Sequence, residues 1–153
     1  MVIKLSNCKN SVTPKWFGFA IQALVLLATT EGVTPSKAIA KHIRSGVSFM
    51  RRIMAPLVKE NIVEAREGRD GGYLLAKSPE EITLKQVYIA LQMTEPLSTA
   101  LIESTSDCTS GRVMNNVFSD FAIEAEEHLL GFLCNYTLAD FVKRASYKTI
   151  ESL

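Results

Sequence analysis

TPSKAIAKHIRSGVSFMRRIMAPLVKENIVEAREGRDGGYLLAK, residues 34–77, is the stretch from which the fold is read. Thr34 and Pro35 open a short helix: Thr34 can cap its first free amides, and Pro35 sits where a missing N–H costs nothing. Ala38, Ile39 and Ile43 form its inward stripe. Arg44-Ser45-Gly46 reads as a tight turn, with Ser45 as N-cap of a second helix over 46–61. The apolar positions of that helix, Phe49 or Met50, Ile53, Met54, Leu57 and Val58, recur at three- and four-residue spacing. Pro56 inside the pattern predicts a bend, since an interior proline removes a hydrogen bond. IVEAR and GYLLAK then flank EGRDG, a strand, glycine-rich turn and strand that make a β-hairpin. Two short helices, a tight turn and a hairpin in this order predict a winged helix-turn-helix: mainly α, with one small β wing.

Upstream, WFGFAIQALVLLA at 16–28 is apolar almost all round a helical wheel, so its helix must be covered on more than one side, and Gly32 ends it. Downstream, Ser78-Pro79-Glu80-Glu81 reads as the start of a helix with Leu84, Val87, Tyr88 and Leu91 on one face. Residues 94–111 read as a loop with room for one short helix. A long helix over 112–133 follows, carrying two adjoining apolar rows: Val113, Val117 and Phe121, and Met114, Phe118, Ala122, Leu129 and Phe132. TLADFVKRA, capped by Thr137, makes a last short helix. The expected organisation is three segments: 1–93, 94–111, and 112–153 with the long helix and its tail.

The composition fits a single globular domain with an extra helix for a partner. At 153 residues, 47% hydrophobic and 22% charged with 8 Gly and 5 Pro, the chain does not read as disordered, collagen-like or disulfide-stapled. No signal peptide is evident, and the first apolar run is too short to span a bilayer. Three widely spaced cysteines suit a reducing compartment, so the expected location is the cytoplasm, without a membrane partner.

The net charge of +1 conceals an asymmetry: residues 34–77 carry nine Lys/Arg against four Asp/Glu, leaving the remainder at −4. A basic block followed by an acidic one points to one surface made for an anion. Double-stranded DNA fits, because a slim helix enters the major groove and a hairpin can lie on the neighbouring groove. The expected contacts from the second helix of the motif are Ser45, Ser48, Arg51 and Arg52, flanked by Lys37, Lys41 and Arg44. Adjacent helical residues diverge by about 100°, so Arg51 and Arg52 divide between a base edge and a phosphate. No Asp or Glu lies between Glu31 and Glu60 to neutralise them. In the wing, Gly71 and Gly72 are expected to let the backbone turn and approach a phosphate, while Arg66 and Arg69 enter or straddle a groove.

PSKAIAKHI, FMRRIMAPLVKENIV, GRDGGYLLAKSPEEITLKQVYIAL and TLADF together resemble the Rrf2 family of bacterial transcription regulators. The likeness runs over about 14–142, and its most specific part is Gly68-x-x-Gly71-Gly72-Tyr73 followed by Leu75-Ala76 and Glu81-Ile82-Thr83-Leu84. The resemblance implies a winged helix-turn-helix whose long C-terminal helix crosses the equivalent helix of a partner in an intertwined homodimer. Several family members hold an iron-sulfur cluster through three cysteines before that helix. Here Cys108 stands alone in that segment, and one thiolate cannot supply the usual set. The chain therefore looks closer to the cluster-free branch, with no cofactor.

Cys108 is the first candidate for a redox-sensing thiol, although the adjacent Asp107 opposes a thiolate. Cys8, with Lys4 and Lys9 nearby in sequence, is the second, and Cys134 reads as a buried small apolar residue. His42 and His128 are isolated, so no metal site is expected. No nucleophile elbow, phosphate loop or dinucleotide fingerprint occurs, which points to a regulator and not an enzyme. The expectation is a homodimeric repressor on a roughly palindromic operator, answering to an oxidant or a small molecule. The alternatives are a winged-helix module that binds protein, and a small-ligand-responsive regulator without redox sensing.

Overall fold

The computed structural model describes residues 13–93 and 96–151. Helix α1 (Pro14–Thr29) is followed by α2 (Ser36–His42), α3 (Val47–Lys59), strands β1 (Val63–Arg66) and β2 (Gly72–Leu75), then α4 (Leu84–Ala90), α5 (Pro96–Glu103), α6 (Thr109–Cys134) and α7 (Leu138–Glu151). This is the expected winged helix-turn-helix, mainly helical with one antiparallel hairpin.

The nearly all-round apolar character of α1 is satisfied by central placement. Ala20, Ile21, Ala23, Leu24 and Leu27 are buried, while Trp16, Phe17, Phe19, Val25 and Leu26 pack at the margin of the same core. Around them gather Ile39 and Ala40 of α2, Met50, Ile53, Met54 and Leu57 of α3, and Val87 and Tyr88 of α4. Each fully buried aliphatic side chain contributes about 1.5–3 kcal/mol relative to exposure, so this cluster holds α1 to α4 together.

Helices α2, α3 and α4 end alike. In each, the chain passes through a left-handed residue, Arg44 (φ 51°), Asn61 (φ 54°) or Gln92 (φ 53°). The next amide then reaches back to the last turn: Ser45 N–H to the Ala40 carbonyl at 2.9 Å, Ile62 to Leu57 at 3.0 Å, and Met93 to Tyr88 at 3.3 Å. These are Schellman closures, which satisfy carbonyls that helix ends leave unpaired.

The caps correct several expectations. Thr34 and Ser45 do not cap: the N-cap residues are Pro35 for α2 and Gly46 for α3, neither with a side-chain cap bond. Thr34 is claimed instead by the wing, where its N–H donates to the Tyr73 carbonyl at 2.8 Å and its carbonyl accepts from the Tyr73 N–H at 2.9 Å. Helix α3 runs without interruption through Pro56 to Lys59. Proline so near the C-terminus leaves one carbonyl, that of Arg52, without its intrahelical donor. Ser78 does not start α4. Its N–H and hydroxyl donate to Glu81 at 3.1 and 2.8 Å in a separate turn, and α4 begins at a capping box made by Thr83 and Gln86.

Backbone hydrogen bonds join the C-terminal helices to this unit. Leu84 N–H donates to the Tyr136 carbonyl at 2.9 Å and Leu138 N–H to that of Ile82 at 2.8 Å, pairing Thr83 with Thr137 in a short bridge above the fully buried Leu138. The N-terminal end of α7 is further fixed by Asp140, which accepts from the Thr137 N–H and hydroxyl at 2.8 and 3.0 Å. From this joint α7 packs back on α1, and α6 carries α5 alongside it. Helix α6 starts three residues earlier than its apolar pattern suggests, at Thr109, and α7 is longer than TLADFVKRA. Among the described residues no helix is long and apolar enough to cross a membrane.

Candidate nucleic-acid interface

At about 100° per residue, Ser48, Arg51, Arg52, Ala55 and Lys59 of α3 fall on one stripe, opposite Met50, Ile53, Met54 and Leu57. The first five are exposed and the last four buried. The stripe is therefore a consequence of core packing: burying four apolar residues on one side of α3 turns both arginines outward. Lys37 and Lys41, one turn apart, are exposed on α2, and exposed Arg44 occupies the connecting turn. Ser45 is half-buried, with its hydroxyl on the Gly46 carbonyl at 3.3 Å, so it contributes backbone geometry more than an outward hydroxyl.

The two adjacent arginines differ in their surroundings. The Arg52 guanidinium lies over the indole of Trp16, 5.2 Å from the ring centroid. Trp16 in turn meets Phe49 edge-on at 5.2 Å, and Phe19 does the same at 5.7 Å. Arg51, on the other flank of the stripe, is simply exposed. Sequence reasoning missed Trp16. The signal was there, a lone tryptophan at the solvent end of an apolar helix, but its partner lies 36 positions away in sequence.

In the wing, Val63 pairs with Leu75 and Arg66 with Gly72, and the turn between them passes through Gly68 at φ 104°. Arg69 is exposed at the tip beside Asp70. Arg66 is exposed but engaged, its Nε 2.7 Å from a Glu64 carboxylate oxygen. Exposed pairs of this kind contribute at most about 1 kcal/mol, so a phosphate can compete for the guanidinium.

Both wing glycines are held in close backbone approaches. A Cβ on Gly72 would overlap the Thr34 carbonyl, and one on Gly71 would overlap that of Arg66. Gly72 is buried, and its smallness lets the wing dock on the chain entering α2.

Cys108 is exposed and is the N-cap of α6. Its sulfur lies 3.1 Å from the Ser106 hydroxyl and accepts the Gly111 N–H at 3.3 Å. These contacts, the Ser106 hydroxyl foremost and the Gly111 amide next, hold the thiol below its ordinary range. Gly111 is buried against Ser106, and any side chain there would strike the Ser106 carbonyl. Cys134, expected to be buried, is exposed as the last residue of α6. Cys8 lies outside the described residues.

Exposed His128 places Nδ1 2.8 Å from the Glu124 carbonyl of its own helix. Exposed His42 borders an apolar hollow of about 420 Å³ between α1 and α7, with Phe17, Ile21, Val25 and Phe141. Among the described residues no three His, Cys, Asp or Glu side chains gather as metal ligands would. Cys108 and Cys134 stand at opposite ends of α6, roughly 40 Å apart at 1.5 Å per residue. An iron-sulfur cluster needs several thiolates around one centre, and these two cannot share one within a chain.

Residues 15–144 match the family model Rrf2, described as iron-dependent transcriptional regulator. The chain belongs to the Rrf2 family. The HTH-type transcriptional regulator IscR of Serratia proteamaculans is 28% identical over 128 residues, covering 81% of this chain and 74% of that protein. The regulator YffB of Lactococcus lactis is 25% identical over 127 residues, with 81% of each chain covered. CymR, the global cysteine regulator of B. subtilis, superposes with a TM-score of 0.57 at 20% identity, over 90% of this chain and 98% of that one, which is a likeness of fold. These relatives are named as transcriptional regulators.

Proposed function

We propose that this Rrf2 protein is a cytoplasmic, cluster-free, homodimeric repressor that reads a roughly palindromic operator. Residues 1–93 form the DNA-binding unit, 94–111 the sensing segment and 112–153 the dimerisation helix with its tail. The observation that carries the reading is the exposed stripe of α3, with Arg51 and Arg52 set among Lys37, Lys41 and Arg44 and with no acidic residue between Glu31 and Glu60. Such a surface suits a groove walled by phosphates, and the exposed Arg66 and Arg69 of the wing extend it. Cys108 is the first candidate for the switch and Cys8 the second. A peroxide would transfer one oxygen to the Cys108 thiolate, giving a sulfenate and water.

A second reading, regulation by a small molecule without redox sensing, is favoured by the hollow between α1 and α7. Its volume is within the usual range for ligands, and its wall includes His42 at the end of α2.

The test is anisotropy of labelled DNA from upstream of the protein's own gene against a scrambled control, at 50 and 200 mM salt, reduced and after peroxide. Preference for the native DNA is expected, with affinity falling about a thousandfold between the two salt concentrations if six phosphates are neutralised. The Arg51→Ala, Arg52→Ala double variant should lose that preference while keeping its thermal midpoint. Loss of binding on oxidation, abolished by Cys108→Ser, supports the thiol switch; oxidation without effect favours the small-ligand reading. Salt-insensitive binding, or none, would move the assignment to a protein-binding module.

A further inference from the structure

We propose that Trp16 is a positioning residue that fixes Arg52 for sequence reading. The inference rests on the reading of α3 as the DNA-contacting helix. Trp16 and Phe19, three apart on α1, face Phe49 and Arg52, three apart on α3. Residues at that spacing lie on one side of a helix, so the two pairs interlock. Phe49 packs nearly perpendicular to the indole with ring centroids 5.2 Å apart, and the guanidinium stands over the indole ring, also at 5.2 Å.

Stacking occupies the face of a guanidinium and leaves its in-plane N–H fork free. The fork is the part that makes two parallel hydrogen bonds to a guanine edge, and a pre-set fork loses less rotamer freedom on binding. Arg51 is exposed, with no such platform among the described residues, and keeps the adaptability that suits a phosphate contact. The pair that sequence reasoning could only divide abstractly thus acquires an assignment: Arg52 discriminates and Arg51 attracts.

The experiment is a double-mutant cycle of Trp16→Leu and Arg52→Ala, read as affinity for the native DNA and for the scrambled control, with Trp16→Phe as the conservative variant. Trp16→Leu is expected to weaken native binding roughly two- to fivefold, the worth of one exposed cation–π contact, with little change on scrambled DNA. It should have no further effect once Arg52 is alanine, and Trp16→Phe should recover part of the loss. Equal weakening on both DNAs, or effects that simply multiply, would overturn the proposal.

A second readout needs no DNA. Trp16 is the one tryptophan of the chain, so its emission reports this contact directly. Arg52→Ala should raise acrylamide quenching of Trp16 in the intact protein, whereas Arg51→Ala should not; equal quenching in both would also overturn the proposal. A wild-type protein with no preference for native DNA, but with the quenching difference, would locate the failure in the DNA reading and not in the clamp.

Discussion

Arg44 holds a left-handed conformation at φ 51°, one that costs a side chain roughly 1–2 kcal/mol and that glycine adopts freely. It does so in the turn between α2 and α3, exposed beside the basic stripe. A residue kept where glycine would be more stable invites a functional explanation, and a cation facing a phosphate supplies one. Arg44→Gly is therefore expected to raise stability by up to about 1 kcal/mol in urea denaturation while weakening DNA binding and lowering its salt slope by about one. Weakened binding with lowered stability would refute the argument. Asn61 and Gln92 occupy the equivalent left-handed positions after α3 and α4.

At the scale of elements, the N-terminus of α6 makes Cys108 a thiol governed by Ser106 more than by the adjacent Asp107, whose proximity in sequence gave the opposite expectation. Because the thiol is held low, alkylation by iodoacetamide, followed by mass spectrometry of the Cys108 peptide, should reach half its plateau rate below the pH of an ordinary cysteine. Ser106→Ala removes the largest cause and should move that midpoint upward. An unchanged midpoint would count against the hydrogen bond. The contrast shows where sequence reading works and where it stops. The order of helices and hairpin was legible because apolar spacing in α1, α3 and α4 is local, and the exposed basic stripe followed from the same spacing. Contacts between distant segments were not: Thr34 bridging to Tyr73, Gly72 closing on Thr34, and Arg52 over Trp16 each join residues more than 30 positions apart. The Thr34 cap went wrong for the same reason, since Thr34 was judged by the helix after it and not by the strand that takes it.

For the whole molecule, α6 divides its two apolar rows between two surfaces. Ala122 and Leu133 are buried and Phe118 and Leu129 half-buried, with Leu129 and Leu133 against the core, whereas Val113, Met114, Val117, Phe121 and Phe132 are exposed within an arc of about 100°. This apolar patch, dense over residues 113–121 and resumed at Phe132 beyond exposed Glu124 and His128, suits a second copy of the same helix, as the proposed homodimer requires. Val117→Glu with Phe121→Glu should then sediment at the mass of one chain and retain its helicity. Its affinity for the native DNA should fall by about a hundredfold or more, because two half-sites are no longer engaged together. A variant that still sediments as a dimer would place the interface elsewhere. The joint at Thr83 and Thr137 gives such a dimer a mechanical character. Helix α6 meets the N-terminal unit close to one end, with Cys108 at the other, so in the proposed dimer it would act as a lever with a fulcrum: a small tilt where two subunits cross would be delivered as rotation of the DNA-binding units. The spacing between two recognition helices, which must match one turn of DNA, is then set by an angle and not by any residue that touches a base.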